Sequence, residues 1–157
     1  MISSKVVKSM STVTDGVEEW TNVIKDIDSK NVLVGITGTT DGARGNAEIM
    51  AIHEYGDASR NIPERRPIRL SMENNANKYA QRFRQAIDKA LRDEIDIDTA
   101  LRSIGEESAG DVKITVMNGL TPALAPSTVR ARKNNSDTPL YDTGELVNSI
   151  TYEVRKK

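Results

Sequence analysis

With 157 residues, 37% of them apolar and 29% charged, the chain is long enough for one hydrophobic core and too short for two large ones. It has no cysteine, which excludes disulfides and thiolate metal sites, and its apolar runs fall short of a bilayer-spanning length. The reading is a soluble protein, made and assembled in the cytoplasm, with no membrane partner. The net charge of −1 conceals a segregation, because Arg60 to Arg92 holds nine Lys or Arg against three Asp or Glu, whereas Asp93 to Asp111 holds seven acidic residues against Arg102 alone. Such adjacent blocks are either two solvated helix faces or complementary surfaces between neighbouring subunits.

Residues 1–13 read as an N-terminal arm or a first edge strand. Asp15 and Glu18 then form a capping box, and Val17, Trp20, Ile24 and Ile27 repeat at helical spacing, so a helix is predicted from Asp15 to about Ser29. The same three-and-four alternation runs back through Val13, Met10 and Val6, as a longer coiled-coil-like helix requires, but Gly16 and the capping box favour the later start. Asn31 to Ile36 (NVLVGI) is a buried strand, Gly38, Gly42 and Gly45 make a loop, and Ala47 to Tyr55 is a helix ended by Gly56. In NIPERRPIRL, Pro63 and Pro67 forbid a regular helix and predict an extended, partly exposed segment.

Ser71 caps the next predicted helix, whose stripe of Met72, Tyr79, Phe83 and Ile87 runs down to about Arg92. Asp98 caps another, with Leu101, Ile104, Ser108, Val112 and Val116 facing inward and Asn118 and Gly119 ending it. A loop with Pro122 and Pro126 leads to a helical turn over Ser127 to Arg132 and a polar stretch, KNNSDT. In PLYDTGELVNSITYEV, Asp142 and Thr143 cap a short helix from Glu145 to Asn148 after a bend at Gly144, and Ile150, Tyr152 and Val154 share one face of a last strand. The sum is an α+β chain: a small single domain over residues 14–157, with a short β-sheet packed against amphipathic helices and with extended arm or loop segments.

Catalytic vocabulary is scarce. The strand, glycine loop and helix from Val32 to Tyr55 put Asn46 after Gly45 where a phosphate-binding loop needs Lys, so nucleotide binding is rejected. His53, the one histidine, sits at a helix end beside Glu54 and reads as a structural contact favoured by the helix dipole. The DEIDID run at 93–98 lacks the glycine turn of a calcium loop. No catalytic, cofactor-binding or metal-ligating set emerges, and the expectation is a non-enzymatic protein without a cofactor. One alternative of another class is a nucleic-acid-binding module in which Arg60, Arg65, Arg66, Arg69, Arg82, Arg84 and Arg92 meet phosphates without sequence preference.

Three segments carry a family resemblance in their order and separation: Ile49 to Glu73, Thr121 to Lys133 and Pro139 to Val154. They contain Glu54, Tyr55 and Gly56, then Ile62, Pro63, Arg65 or Arg66 and Pro67, and finally Leu140, Asp142, Thr143, Gly144 and Leu146. In this the chain resembles the tail-completion and head-tail joining (neck) proteins of long-tailed bacteriophages, also described as minor tail or virion-morphogenesis components. Ile68 stands where that family usually has an aromatic residue.

The resemblance implies a virion protein, assembled in the host cytoplasm into a ring, commonly a hexamer, at the junction of head and tail or at the end of the tail tube. Its implied partners are copies of itself, head connector or adaptor proteins, and tail tube or tail terminator proteins, with DNA close by. A tail terminator or minor tail subunit is the alternative within virion proteins. Candidate interface residues are Glu54, Tyr55, Ile62, Pro63, Arg65, Arg66, Pro67 and Arg69, with segment 61–69 either an arm gripping the adjacent subunit or a surface strand packed within its own. Gly56, Leu140, Asp142, Thr143, Gly144 and Leu146 are the structural motif, and Gly144→Val is expected to be harmful through the backbone.

Overall fold

The computed structural model describes residues 4–36, 45–132 and 136–157. In chain order these form α1 (Ser4–Asp28), β1 (Lys30–Gly35), α2 (Asn46–Tyr55), a 3-10 turn (Ala58–Arg60), α3 (Pro67–Ala90), α4 (Ile97–Met117), α5 (Pro126–Ala131), α6 (Glu145–Asn148) and β2 (Thr151–Lys156). The expected α+β class holds: helices surround one antiparallel pair of strands, with Lys30 opposite Lys156 and Gly35 opposite Thr151. The loop glycines Gly38 and Gly42 and part of the KNNSDT stretch lie outside the described residues.

The architecture is built on α4. Its Ile97, Ala100, Leu101, Ile104, Ser108, Val112 and Val116 recur every three or four residues and are all buried, the pattern that turns one helical stripe into a core. Val112 and Val116 meet Met50 of α2, Leu146 and Val147 of α6, and Leu140 and Ile150 beside them. A smaller cluster joins Ile97 and Leu101 to Ala90 and, at its edge, to Val23 and Ile27 of α1. The sheet packs on α4 so closely that a Cβ at Gly105 would meet the Tyr152 ring at 2.3 Å.

The opposed charge blocks find each other within the chain. Lys78 pairs with Asp111, and Arg82 Nε with Glu107 at 2.9 Å, so residues rising along α3 meet residues falling along α4 and the two helices run antiparallel. Tyr79 Oη donates to the same Asp111 carboxylate at 2.8 Å. Burial and this bond to Asp111 push the Tyr79 phenol up to about 12, so it stays a neutral donor.

Three predicted helix starts move. The first helix begins at Ser4 rather than Asp15, so residues 4–13 are helical and not an edge strand, and Asp15 and Glu18 lie inside the helix instead of capping it. A single interior glycine disfavours a helix by only about 1 kcal/mol, which a 25-residue helix absorbs. α3 begins at Pro67 rather than Ser71, because proline's missing N–H falls where a helix has no acceptor for it, and Ser71 is buried in the first turns. α4 is capped by Asp96, which accepts from the Thr99 N–H at 2.9 Å. Asp98 instead joins Asp26 around Lys30, at 2.9 and 2.8 Å, tying the end of α1 to the start of α4.

Candidate functional site

The residues that carry the resemblance assemble into two connected features, a brace between α2 and α3 and a cleft beside it. The brace begins at Gly56, whose φ of 76° ends α2. A Cβ there would lie 3.0 Å from the Glu64 N and 3.3 Å from the Ile62 carbonyl, so both backbone conformation and space call for glycine. The chain reverses through an Asp57–Ile62 pair, bonded N–H to carbonyl both ways at 2.8 and 2.9 Å. It returns along α2, where the Arg65 and Arg66 N–H groups donate to the His53 carbonyl at 2.8 and 3.1 Å.

This return sets α3 directly over the Glu54 carboxylate. Arg66, the residue preceding α3, has a left-handed φ of 56° and gives the helix no side-chain cap. Glu54 supplies it from another element: only 5% exposed, it accepts from the Ile68 N–H at 2.9 Å, the Arg69 N–H at 3.1 Å and Arg69 Nε at 2.9 Å. A carboxylate is suited to this place, since the first turn of a helix offers N–H groups without partners and the positive end of its dipole. Arg69 in turn donates to the Glu54 carbonyl at 2.7 Å and to Glu64 at 2.9 Å, and lies over the Tyr55 ring at 5.3 Å.

Segment 61–69 is therefore not extended throughout. Its Arg65, Arg66 and Arg69 side chains bond within their own subunit, and Pro67 opens a helix. Among the candidate interface residues, Glu54, Arg65 and Pro67 are buried, Ile62 and Arg66 are half-buried, and Tyr55 (73% exposed), Pro63 and Arg69 face solvent. Arg66 is engaged by Glu73 and Glu64.

Arg65 leads from the brace to the cleft. Only 6% exposed, it donates to the Pro122 carbonyl at 2.9 Å, the Ala123 carbonyl at 3.3 Å and the Pro63 carbonyl at 3.4 Å, and its Nη1 lies 3.0 Å from His53 Nδ1. One guanidinium thus ties the 121–125 loop to α2. Arg132, at the end of α5, gathers the next loop, donating to the carbonyls of Ser136, Thr138 and Tyr141 at 3.1, 2.8 and 3.2 Å. Between the two loops and α2 opens a cleft of about 670 Å³, with Ile49, Ile62, Leu124 and Leu146 among its walls and Arg65 and Arg132 lining it. Asp142, Thr143, Gly144 and Glu145 line it too, so all three resembling segments meet here.

His53 behaves opposite to the dipole expectation. Burial first, then the charges of Arg65 and Arg132, hold its pKa down to about 4. The ring is neutral near pH 7, and since Nδ1 faces a guanidinium that can only donate, the proton sits on Nε2. In the unfolded chain histidine titrates near its ordinary value, so protons bind the unfolded state preferentially between about pH 6.5 and about pH 4. Stability from this group is complete above that window, falls as pH drops through it, and levels off below. Allowing for the ring's partial exposure, the loss is about 1–2 kcal/mol. Urea midpoints followed from pH 7 to pH 4 for the parent and for His53→Gln check this, with a shallower fall expected in the variant.

In the C-terminal motif, Gly144 with φ 83° is the cap residue of α6, which has no side-chain cap. Thr143 Oγ1 accepts from the Glu145 N–H only at 3.4 Å, and Asp142 lies at the cleft. The left-handed glycine bends the chain so that Leu146 and Val147 are buried at α4. Leu140 is buried in a left-handed conformation of its own, φ 63°. A Cβ at Gly144 would have its nearest neighbours at 3.9 Å, so the harm of Gly144→Val comes from φ alone. Gly144→Ala is expected to lose about 1–2 kcal/mol and Gly144→Val more, read from thermal unfolding.

Sequence reasoning missed Arg132, placed at the end of a helical turn, and Gly105; an isolated glycine inside a helical stripe was the available signal for the latter. Among the described residues no group of three or more His, Cys, Asp or Glu is placed to hold a metal ion, and no helix is long and apolar enough to cross a membrane. No family model, no curated protein and no solved structure matches the chain.

Proposed function

We propose that the chain is a structural subunit of a long-tailed bacteriophage virion, forming a ring in the neck that joins or completes the tail at the head. The observation that carries this reading is convergence. Segments resembling the neck proteins, far apart in sequence, meet in one device: Glu54 caps α3, Arg65 tethers Pro122 and Ala123, and Leu140 and Gly144 close the far side of the cleft. A motif whose members touch has a physical reason to occur as a set.

The cleft, with apolar walls, Arg65 and Arg132, and the acidic Asp142 and Glu145 in its lining, suits a segment of an adjacent chain, since interfaces favour arginine and apolar surface together. A head-to-tail contact of this kind, repeated with a closing rotation, makes a ring. Of the seven arginines that a DNA-binding patch would use, six are engaged within the chain, and Arg84 is exposed. Arg60, Arg66, Arg69, Arg82 and Arg92 are in ion pairs and Arg65 is buried against carbonyls, which gives the nucleic-acid reading no support.

The test is assembly. Purified protein mixed with isolated phage tails or head connectors is expected to form rings bound to them, located at the neck by cryo-microscopy. A chain that stays single with tails and connectors present, together with phage lacking it that still join heads to tails, overturns the reading. Density along the tail or at its far end instead would assign a terminator or minor tail role.

A further inference from the structure

We infer that the exposed face of α1 is a docking surface for α1 of a second copy of this chain. Val17, Trp20 and Ile24 are large apolar side chains that remain 56%, 56% and 59% exposed. Their spacing of three and then four residues puts them in one stripe. The body covers a different part of the same helix, where Val23 and Ile27 pack against the cluster of Ile97 and Leu101. Between Val17 and Ile24, α1 therefore carries more apolar surface than its own fold uses.

Three features choose the occupant. First, the stripe continues into Ile27, which lies against the core, and the same spacing extends back through sequence positions 13, 10 and 6. A sustained seven-residue repeat of this kind is matched by another helix with the same repeat, whose side chains leave holes at the same intervals. A second copy presents one by construction. Second, of the positions flanking the stripe from Val17 to Ile27, Gly16, Thr21 and Val23 are uncharged and the one charge, Asp28 at the helix end, is paired with Lys157 at 3.2 Å, whereas Glu18, Glu19, Lys25 and Asp26 fall on the outer side of the repeat. Two copies can approach along this seam without opposing like charges. Third, the Thr21 hydroxyl already donates to the Val17 carbonyl at 2.7 Å, so closing the seam strands no polar group there. The pairing does not depend on the ring reading, because it can join subunits, or whole assemblies, of any closure.

Trp20 is the chain's one tryptophan, so its fluorescence reports the seam directly. For the full chain between about 1 and about 300 μM, emission is expected to move to shorter wavelength and acrylamide quenching to fall as light scattering shows the mass rising above that of one chain. Ile24→Asp and Val17→Asp keep the tryptophan and alter exposed positions, so the body should keep its helical spectrum while association weakens tenfold or more. An oligomer in which Trp20 is still quenched as freely as in the dilute chain overturns the inference, as does association unchanged in both variants. A chain that stays single throughout the range also overturns it, and leaves the ring reading to its own test with tails and connectors.

Discussion

Glu54→Ala is expected to lower the unfolding free energy by about 2–4 kcal/mol, a large fraction of the stability of a small domain. The carboxylate it removes caps α3 where Arg66 does not, and accepts three hydrogen bonds, two from backbone N–H groups at Ile68 and Arg69. Alanine takes the acceptor from those donors at a place where Glu54 is only 5% exposed, and each such group is worth about 1–3 kcal/mol. Glu54→Gln keeps an acceptor for one of the N–H groups but gives up the charge that the helix start and Arg69 favour, so about half the loss is expected. Arg69→Ala should do less, because its side chain is 44% exposed and its removal leaves the carboxylate still bonded to α3. The ordering Ala, then Gln, then the Arg69 variant, read from urea midpoints with an unchanged slope, checks the argument. An Arg69→Ala loss equal to that of Glu54→Ala would mean that the ion pair, not the cap, holds the brace.

The same capping bond explains what the sequence could and could not reveal. α4 was legible because most of what defines it is local, apolar residues at three-and-four spacing and Asn118 at its end, and only its capping Asp was placed two residues late, at Asp98 instead of Asp96. The lower part of α3 and the last strand were legible for the same reason. The first turn of α3 was not, since the residues just before it read as a proline-broken extended segment and its cap comes from α2. The motif residues were legible as a set but not in their roles. Glu54 and Arg65, both charged, look like surface contacts, and only the reversal through Asp57 and Ile62 turns them inward. His53 depends even more on distant residues, as burial and Arg132, neither visible from its neighbours, reverse the sign expected from the helix dipole.

Two glycines in α4 should respond with opposite sign to the same substitution. Alanine normally favours a helix interior over glycine by about 1 kcal/mol. At Gly110 nothing lies within 4 Å of the new methyl, so Gly110→Ala is expected to gain most of that. At Gly105 the methyl would fall 2.3 Å from Cδ2 and 2.7 Å from Cγ of Tyr152, on the rigid part of the ring. Tyr152 sits on β2 opposite Val34 and packs against the core cluster, so the ring can yield only by moving the strand pair off α4. Overpacking of this kind costs about 1–3 kcal/mol, and with the two contacts so short the upper end outweighs the helix gain, for a net loss of about 2 kcal/mol. Gly105→Val, larger and β-branched, should fail to give a stable fold. In a Tyr152→Ala background the obstacle is gone, and Gly105→Ala is expected to become neutral or favourable. If Gly105→Ala is as favourable as Gly110→Ala in the parent chain, the sheet does not rest on α4 at this residue and the close approach is refuted. If the sign reverses only when Tyr152 is removed, Gly105 sets the distance at which the sheet packs on its central helix.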